Sequence, residues 1–382
     1  MVLFSKNSTI LLFNKLSNNV KIIKIFNEEK SMWKYVVKRI LLAFVTAFII
    51  LSATFLLMKL LPFKEPVGFP VDKFRFYVDQ AIQGFVIQSD KPINELGNWL
   101  WTTEGTSLFD DGTVYYFYKR PIFEQYGHWL WNIVSEWNWG TSTSIQVNAS
   151  AINIIATRLP VSMGINIISV LISVPFGIAL GIWAALKKNT PTDHIISTLI
   201  MIFISVPSFI VISLLLKWFT IDLRWLPWEW PSAAAETSKK ALGYIIPVLA
   251  LSFGSICGYC RFTRAELCEV MSSDYLLLAR TKGLTKKQCI VRHALRNAMV
   301  PIVPSILSEF IGILSGSMIL ENLYNIPGIG SLFVNAINSE DYSVLMVDMA
   351  MFTVVSLVAS VFLDISYGFI DPRIRMGAKN NG

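Results

Sequence analysis

The chain has 382 residues, of which 53% are hydrophobic and only 15% charged, and its formal net charge is +7. Soluble proteins carry about 25% charged residues, so this apolar excess must face something other than water, which excludes an ordinary water-soluble architecture. Its lysines and arginines are grouped beside apolar runs, which argues against nucleic acid as the partner of the positive charge.

Residues 1–31 are basic and polar with a short apolar patch at Ile10–Phe13. They read as a cytosolic tail, or as sequence ahead of a true start at Met32. Met32-Trp33-Lys34-Tyr35 leads into the uncharged run Ile40–Leu57. That run is too long for a signal-peptide core, and no small-residue cleavage site follows it. A helix needs about 20 apolar residues to cross the hydrocarbon core. Val161–Leu186, Ile195–Leu216 and Ala241–Cys260 are also uncharged, Ala298–Leu320 carries only Glu309, and Val344–Leu363 carries only Asp348. Short alternating segments of a barrel are missing, so the spans are expected to be helices, which satisfy their own backbone in lipid. The expected fold is an all-α membrane protein with six transmembrane helices and an extracytoplasmic α+β insertion between helices 1 and 2. The first helix falls in 32–61, the insertion in 62–158, a five-helix core in 159–370 and a C-terminal tail in 371–382.

Lysine and arginine set the orientation. Lys34, Lys38 and Arg39 precede the first span, and Lys187 and Lys188 lie between the second and third. Arg261, Arg264, Arg280, Lys282, Lys286, Lys287, Arg292 and Arg296 lie between the fourth and fifth, and Arg373, Arg375 and Lys379 follow the last. All fall on one side if both termini are cytosolic, which leaves 62–158, 221–240 and 321–343 outside. The outer segment 62–158 is rich in aromatics, among them Trp99, Trp101, Tyr115–Tyr118, Trp129, Trp131, Trp137 and Trp139. Asp111-Gly112 ahead of Thr113–Tyr118 reads as a turn entering a strand. The aromatics suit either docking of an external binding protein or anchoring at the membrane interface.

Three G-x-x-x-G pairs, Gly177/Gly181, Gly254/Gly258 and Gly312/Gly316, are spaced for close helix packing, and Pro175, Pro207, Pro247, Pro301 and Pro304 are placed to kink helices. Intramembrane charge is sparse. Glu309 either lines a path or hydrogen-bonds a neighbouring helix, Asp348 is the other mid-span acid, and Asp364 lies near the cytosolic end of the last span. Such sparseness argues against a proton relay. The sequence lacks a G-x-x-x-x-G-K-[ST] loop, H-E-x-x-H and G-x-S-x-G, and His128, His194 and His293 make no metal cluster. No cofactor or metal is expected. Cys257 and Cys260 form C-x-x-C, read as small apolar residues on a buried helix.

Between the fourth and fifth expected spans the chain reads Ser272 to Gln288 without a long apolar run. Ser273 or Asp274 caps a helix that reaches about Lys282, Gly283 stops it, and Thr285 caps a second helix that reaches His293 to Arg296. Two short helices around a glycine, 272–297, make a cytosolic elbow that is either a docking element or a solvated basic loop.

Ala279-Arg280-Thr281-Lys282-Gly283-Leu284, followed by Arg292-His293-Ala294-Leu295-Arg296-Asn297-Ala298 and Pro301, resembles the cytosolic signature of ABC-importer permeases of the dipeptide/oligopeptide/nickel branch, B-type. The general pattern is E-A-A, three residues, G, nine residues, I-x-L-P. This chain keeps Ala279, Gly283 and Leu295, and has Leu277, Leu278, His293 and Arg296 where the pattern has E, A, I and P. Further resemblance runs through Trp139-Gly140-Thr141-Ser142, Arg158-Leu159-Pro160, Gly177–Leu186 with Asp193, Asn325-Ile326-Pro327-Gly328-Ile329-Gly330 with Leu332-Phe333, Asp341-Tyr342, and Asp364 through Asp371-Pro372-Arg373-Ile374-Arg375. The chain departs at Leu61-Pro62-Phe63-Lys64-Glu65-Pro66, where the family commonly has P-G-D-P.

The resemblance implies a permease subunit of an ATP-driven importer, in a bacterial plasma membrane, that forms a path for peptides. It implies no enzyme activity in this chain. The implied partners are a second homologous permease, two ATPase subunits, an external solute-binding protein, peptide and membrane lipid. ATPase coupling is implied for Ala279, Arg280, Lys282, Gly283, Leu284, Arg292, His293, Ala294, Leu295, Arg296 and Asn297, with Glu309 the candidate path residue. Nickel or another small solute, an ion-gradient carrier, and a structural or sensor subunit are the competing expectations.

Overall fold

The computed structural model describes residues 36–61, 69–93, 96, 98–106, 108, 113–232, 234–312 and 316–370. The expectations for the 1–31 tail, Met32–Tyr35, Pro62–Pro66, the Asp111-Gly112 turn, and the Asp371–Arg375 motif with the 371–382 tail lie outside these residues.

Four helices are long and apolar enough to cross a membrane: α1 (Val36–Leu60), α4 (Ala151–Leu186), α7 (Thr237–Met271) and the Tyr342–Asp364 part of α13 (Tyr342–Ile370). A bent pair is long and apolar enough only when its two helices are taken together. The expected continuous helix Ile195–Leu216 is instead α5 (Pro191–Ile204) and α6 (Ser208–Leu216), the latter widening into π turns over Lys217–Asp222, with a 95° bend between them. The cause is local: Pro207 has no N–H to continue the first helix and disfavours helical φ/ψ at Val206. The expected span Ala298–Leu320 also divides. Its helix α10 runs Leu295–Gly312, Gly316 turns with a φ of +64°, and α11 (Met318–Leu323) follows as a separate short helix. Among the described residues the protein thus has four helices long and apolar enough to span, or five if the bent pair is one span.

α4 and α7 form the centre of the bundle. Gly177 and Gly181 sit against α7: a Cβ at Gly177 would lie 2.5 Å from Tyr259 Cβ, and one at Gly181 would lie 2.7 Å from the Cys260 carbonyl. This is the expected close approach. The other two pairs do not behave that way, because Cβ atoms at Gly254, Gly258 and Gly312 would meet nothing within 4 Å among the described residues, and Gly316 serves a turn. α7 also runs past the expected end at Cys260, since no helix breaker stands before Ser272-Ser273, and this draws Arg261 and Arg264 into the helix.

Two buried carboxylates knit one end of the bundle. Glu321 on α11 accepts the Ser162 hydroxyl from α4 at 2.7 Å, the Ser317 N–H at 3.2 Å and the Ser331 N–H at 2.9 Å. Ser331 belongs to α12 (Ile329–Asn338). Asp341 accepts from Ser142 and the three following backbone amides. Tyr324 donates to the Pro227 carbonyl at 3.0 Å, and burial pushes its phenol up to about 12.

Between α1 and α4 the described chain forms α2 (Pro70–Ile82), β1 (Val86–Ser89), β2 (Trp101–Thr102), β3 (Tyr116–Lys119) and α3 (Ile122–Glu136). The strands are antiparallel in the order β1-β3-β2, with Ile87 opposite Tyr118 and Trp101 opposite Phe117. Tyr77 of α2 stacks on Trp101 at 5.4 Å and on Phe117 at 5.3 Å, so aromatic area holds the helix to this small sheet.

Candidate functional site: the elbow between α7 and α10

α7 ends at Met271, and Ser273 stands at the N-cap of α8 (Asp274–Thr281). Its hydroxyl donates back to the Val270 carbonyl at 2.6 Å rather than accepting from α8. α8 stops one residue before the expected Lys282. Gly283 has a φ of +89°, its N–H bonds the Arg280 carbonyl at 3.0 Å, and the Leu284 N–H reaches the Ala279 carbonyl at 3.4 Å. This paired closure is the Schellman arrangement, and it needs the left-handed residue that glycine supplies without strain. Thr285 then forms a capping box: its hydroxyl accepts the Gln288 N–H at 3.3 Å, and the Gln288 amide oxygen accepts the Thr285 N–H at 3.0 Å. α9 (Lys286–Cys289) passes through π turns at Ile290–Ala294 straight into α10. The second helix of the elbow is therefore continuous with the following bundle helix, not a separate piece.

The elbow has an inner and an outer side. Leu276, Cys289, Ala294 and Ala298 are buried with Ala185 of α4 and Leu267 of α7, and Ala279, Leu284 and Leu295 pack against them. Of the residues expected to couple, Ala279, Leu284, Ala294 and Leu295 thus face the protein's own core. Arg280, Lys282, Gly283, Arg292, His293, Arg296 and Asn297 are exposed. The expected set omitted the exposed apolar side chains Leu277, Leu278 and Val291, which are 63%, 56% and 56% exposed. Two adjacent leucines replacing the E and A of the general pattern were the available signal. The outer side is therefore apolar at its tip and flanked by cations, chemistry suited to a partner groove with an apolar floor and acidic rim.

Next to the elbow, charge ties α5 to α7. Asp193 is fully buried at the start of α5. It accepts two bonds from Arg264 of α7, at 2.5 and 2.8 Å, and one from the Asn189 N–H at 3.0 Å. At the same end, Arg39 of α1 pairs with Asp364 of α13 at 3.1 Å.

Glu309 lies on α10 and accepts the Ser255 hydroxyl of α7 at 2.5 Å, while Tyr259 reaches the Ser305 carbonyl at 3.4 Å. This is a contact between two bundle helices, α7 and α10. Asp348 is fully buried, and neither of its carboxyl oxygens has a hydrogen-bond partner among the described residues. No group of three or more His, Cys, Asp or Glu positioned to hold a metal occurs among the described residues.

Residues 177–376, which contain the elbow, match the family described as binding-protein-dependent transport system inner membrane component. The dipeptide transport system permease protein DppB of Lactococcus lactis is 33% identical over 90% of this chain and 100% of its own length. The oligopeptide transport system permease protein OppB of Escherichia coli is 31% identical over 90% of this chain and 100% of its own length. A chain of the MetNI methionine ABC transporter superposes with a TM-score of 0.44 at 16% identity, over 59% of this chain and 96% of that one. With full-length relatives above 30% identity and a family match over more than half its length, the chain belongs to the binding-protein-dependent transport system inner membrane component family, and it is a multi-pass membrane protein that works with other subunits.

Proposed function

We propose that this chain is one of two permease subunits of an ATP-driven peptide importer in a bacterial plasma membrane. It crosses six times, counting the bent pair α5–α6 and α10 with its continuation, and keeps both termini in the cytosol. The segment 62–158 lies outside as an α+β insertion that receives a solute-binding protein. A sister permease completes the path, which Glu309 lines, and two ATPases sit on the cytosolic side. Peptide as the substrate is carried over from the names of the relatives.

The observation that carries the reading is the two-sided elbow 272–297. Its inner residues fix it to α4 and α7, and its outer side offers Leu277 and Leu278 among Arg280, Lys282, Lys286 and Lys287. A rigid lever of this kind converts movement of a docked ATPase into movement of the helices behind it.

Affinity purification from detergent-solubilised native membranes tests the assembly. Recovery of two ATPases, a sister permease and an external binding protein is expected. A cysteine at Leu277 should cross-link to an ATPase subunit and to nothing soluble on the outer side. Recovery of this chain alone, with uptake that survives ATP depletion but collapses with the proton gradient, would replace this reading with an ion-driven carrier.

A further inference from the structure

α3 has two apolar faces, and only one is covered by this protein. The inner face packs on the outer part of α1. Tyr126 hydrogen-bonds Ser52 at 2.6 Å, and Phe55 lies 4.8 Å from Trp129 and 5.5 Å from Tyr126. The opposite face carries Phe123, Gly127, Trp131 and Val134, at helical spacing. Phe123, Trp131 and Val134 are 83%, 68% and 80% exposed. Glu124, at the edge of this face, is paired with Arg120 at 3.6 Å.

The depth of α3 follows from α1. Lys59, near the end of α1, is the first charge after the uncharged run Ile40–Leu57, and its ammonium lies 3.5 Å from the centre of the Phe85 ring. Ser52 lies about 10 Å back along the helix axis from Lys59 at about 1.5 Å per residue. Tyr126 meets α1 there, below the level of the charge. α1 itself exposes Phe44, Phe48, Ile49 and Leu57, so the helix on which α3 packs is apolar on its own exposed side. A helix apolar on both sides is unstable on a water-facing domain, and at home where one side meets protein and the other meets acyl chains.

From this juxtaposition we infer that α3 is an in-plane helix of the outer leaflet, with Phe123, Trp131 and Val134 in contact with lipid. The inference rests on the proposed topology of α1, and not on the nature of the solute. The small β1-β3-β2 sheet is thereby held at the membrane surface by a second anchor besides α1.

The test is site-directed nitroxide labelling of the assembled importer in phosphatidylethanolamine/phosphatidylglycerol vesicles. Trp131→Cys and Val134→Cys are compared with Phe44→Cys on α1 and Asp90→Cys beside β1. The unmodified chain supplies the background, since Cys257, Cys260 and Cys289 are buried and Cys268 is half-buried. Labels at 131 and 134 are expected to relax severalfold more strongly with oxygen than with a water-soluble nickel chelate, as at 44. A nickel response like that at 90 overturns the inference and leaves a water-facing surface for a soluble partner. Protection from both reagents overturns it in favour of a protein cover. A nickel response at 44 would instead defeat the topology of α1, which separates that failure from this one.

Discussion

Asp341 takes the Ser142 hydroxyl on Oδ2 at 2.6 Å, across 199 positions of sequence, and the same oxygen collects the N–H groups of Thr143, Ser144 and Ile145 at 3.1 to 3.2 Å. The loop entering α4 is thus wrapped around a carboxylate that precedes α13. Asp341→Ala strands buried donors, at about 1–3 kcal/mol for each one left unsatisfied. A lowered melting temperature of the detergent-purified protein is expected, with Asp341→Asn recovering part of it. An alanine variant that melts with the parent would remove this knot from the account.

Asp193 and Arg264 form a bidentate pair with the carboxylate fully buried and the guanidinium about a third exposed. Removing one member leaves the other charge unmatched at about 3 kcal/mol. Asp193→Asn should therefore lower the melting temperature of the detergent-purified protein. The double variant Asp193→Asn with Arg264→Gln should be less damaged than the sum of the singles. Strict additivity would mean that the two do not stabilise each other.

Gly181 and Gly258 should respond in opposite ways. A side chain at Gly181 collides with backbone of α7, so Gly181→Leu forces α4 and α7 apart, at about 1–3 kcal/mol or more. Gly258→Ala meets nothing within 4 Å among the described residues and should leave the melting temperature of the isolated subunit unchanged. If the two variants melt alike, the α4–α7 contact is not as drawn.

Gly283→Arg places a side chain at a φ of +89°, which costs about 1–2 kcal/mol for an L residue. Membrane insertion should survive, because the core beneath is built by Leu276, Cys289 and Ala294. Peptide uptake should be lost. Uptake at the parental rate would separate the elbow from coupling. Leu277→Asp with Leu278→Asp should release the ATPase from the membrane without altering the fold.

Asp79 on α2 lies outside the spans. Burial pushes its carboxyl above the ordinary value of 3.8, against the opposing bonds from Thr141 and Gln83. An acid whose folded pKa is raised loses stability as pH climbs from the unfolded value, and regains it as pH falls back toward it. The site therefore contributes most below about pH 4 and least at pH 7. Asp79→Asn, which can still accept from Thr141, should flatten the rise in melting temperature between pH 7 and pH 4. Parallel slopes for variant and parent would clear Asp79 of this role.

Local signals carried much of the architecture. Long apolar runs mark α1, α4, α7 and α13 because spanning helices need only length and apolarity. Gly283 and Thr285 mark the stop and restart inside the elbow because their chemistry acts within four residues. Signals that depend on a neighbour were illegible. Gly177 and Gly254 open identical motifs, yet only the first has a helix against it. Glu321 sits at the end of an apolar run as an ordinary boundary charge, and its partners Ser162 and Ser331 come from two other helices. Pro207 suggested a kink, but nothing local specifies a bend of 95°. The inward half of the coupling signature was likewise hidden, since Ala279 and Leu295 reveal their direction only once α4 and α7 are in place.

The π turns at Ile290–Ala294 have a consequence for the phase of everything beyond them. A π turn holds one more residue than an α turn of the same rise, as an insertion does. Each residue of an α-helix rotates its successor by about 100°. Deleting one residue from this stretch would let α9 run into α10 as a regular helix, but would swing the elbow about a third of a turn around the axis of α10. Leu276 and Cys289 would leave their seat, and Leu277 and Leu278 would point along the bundle instead of away from it. The direction in which this protein presents its lever is thus encoded by a single extra residue.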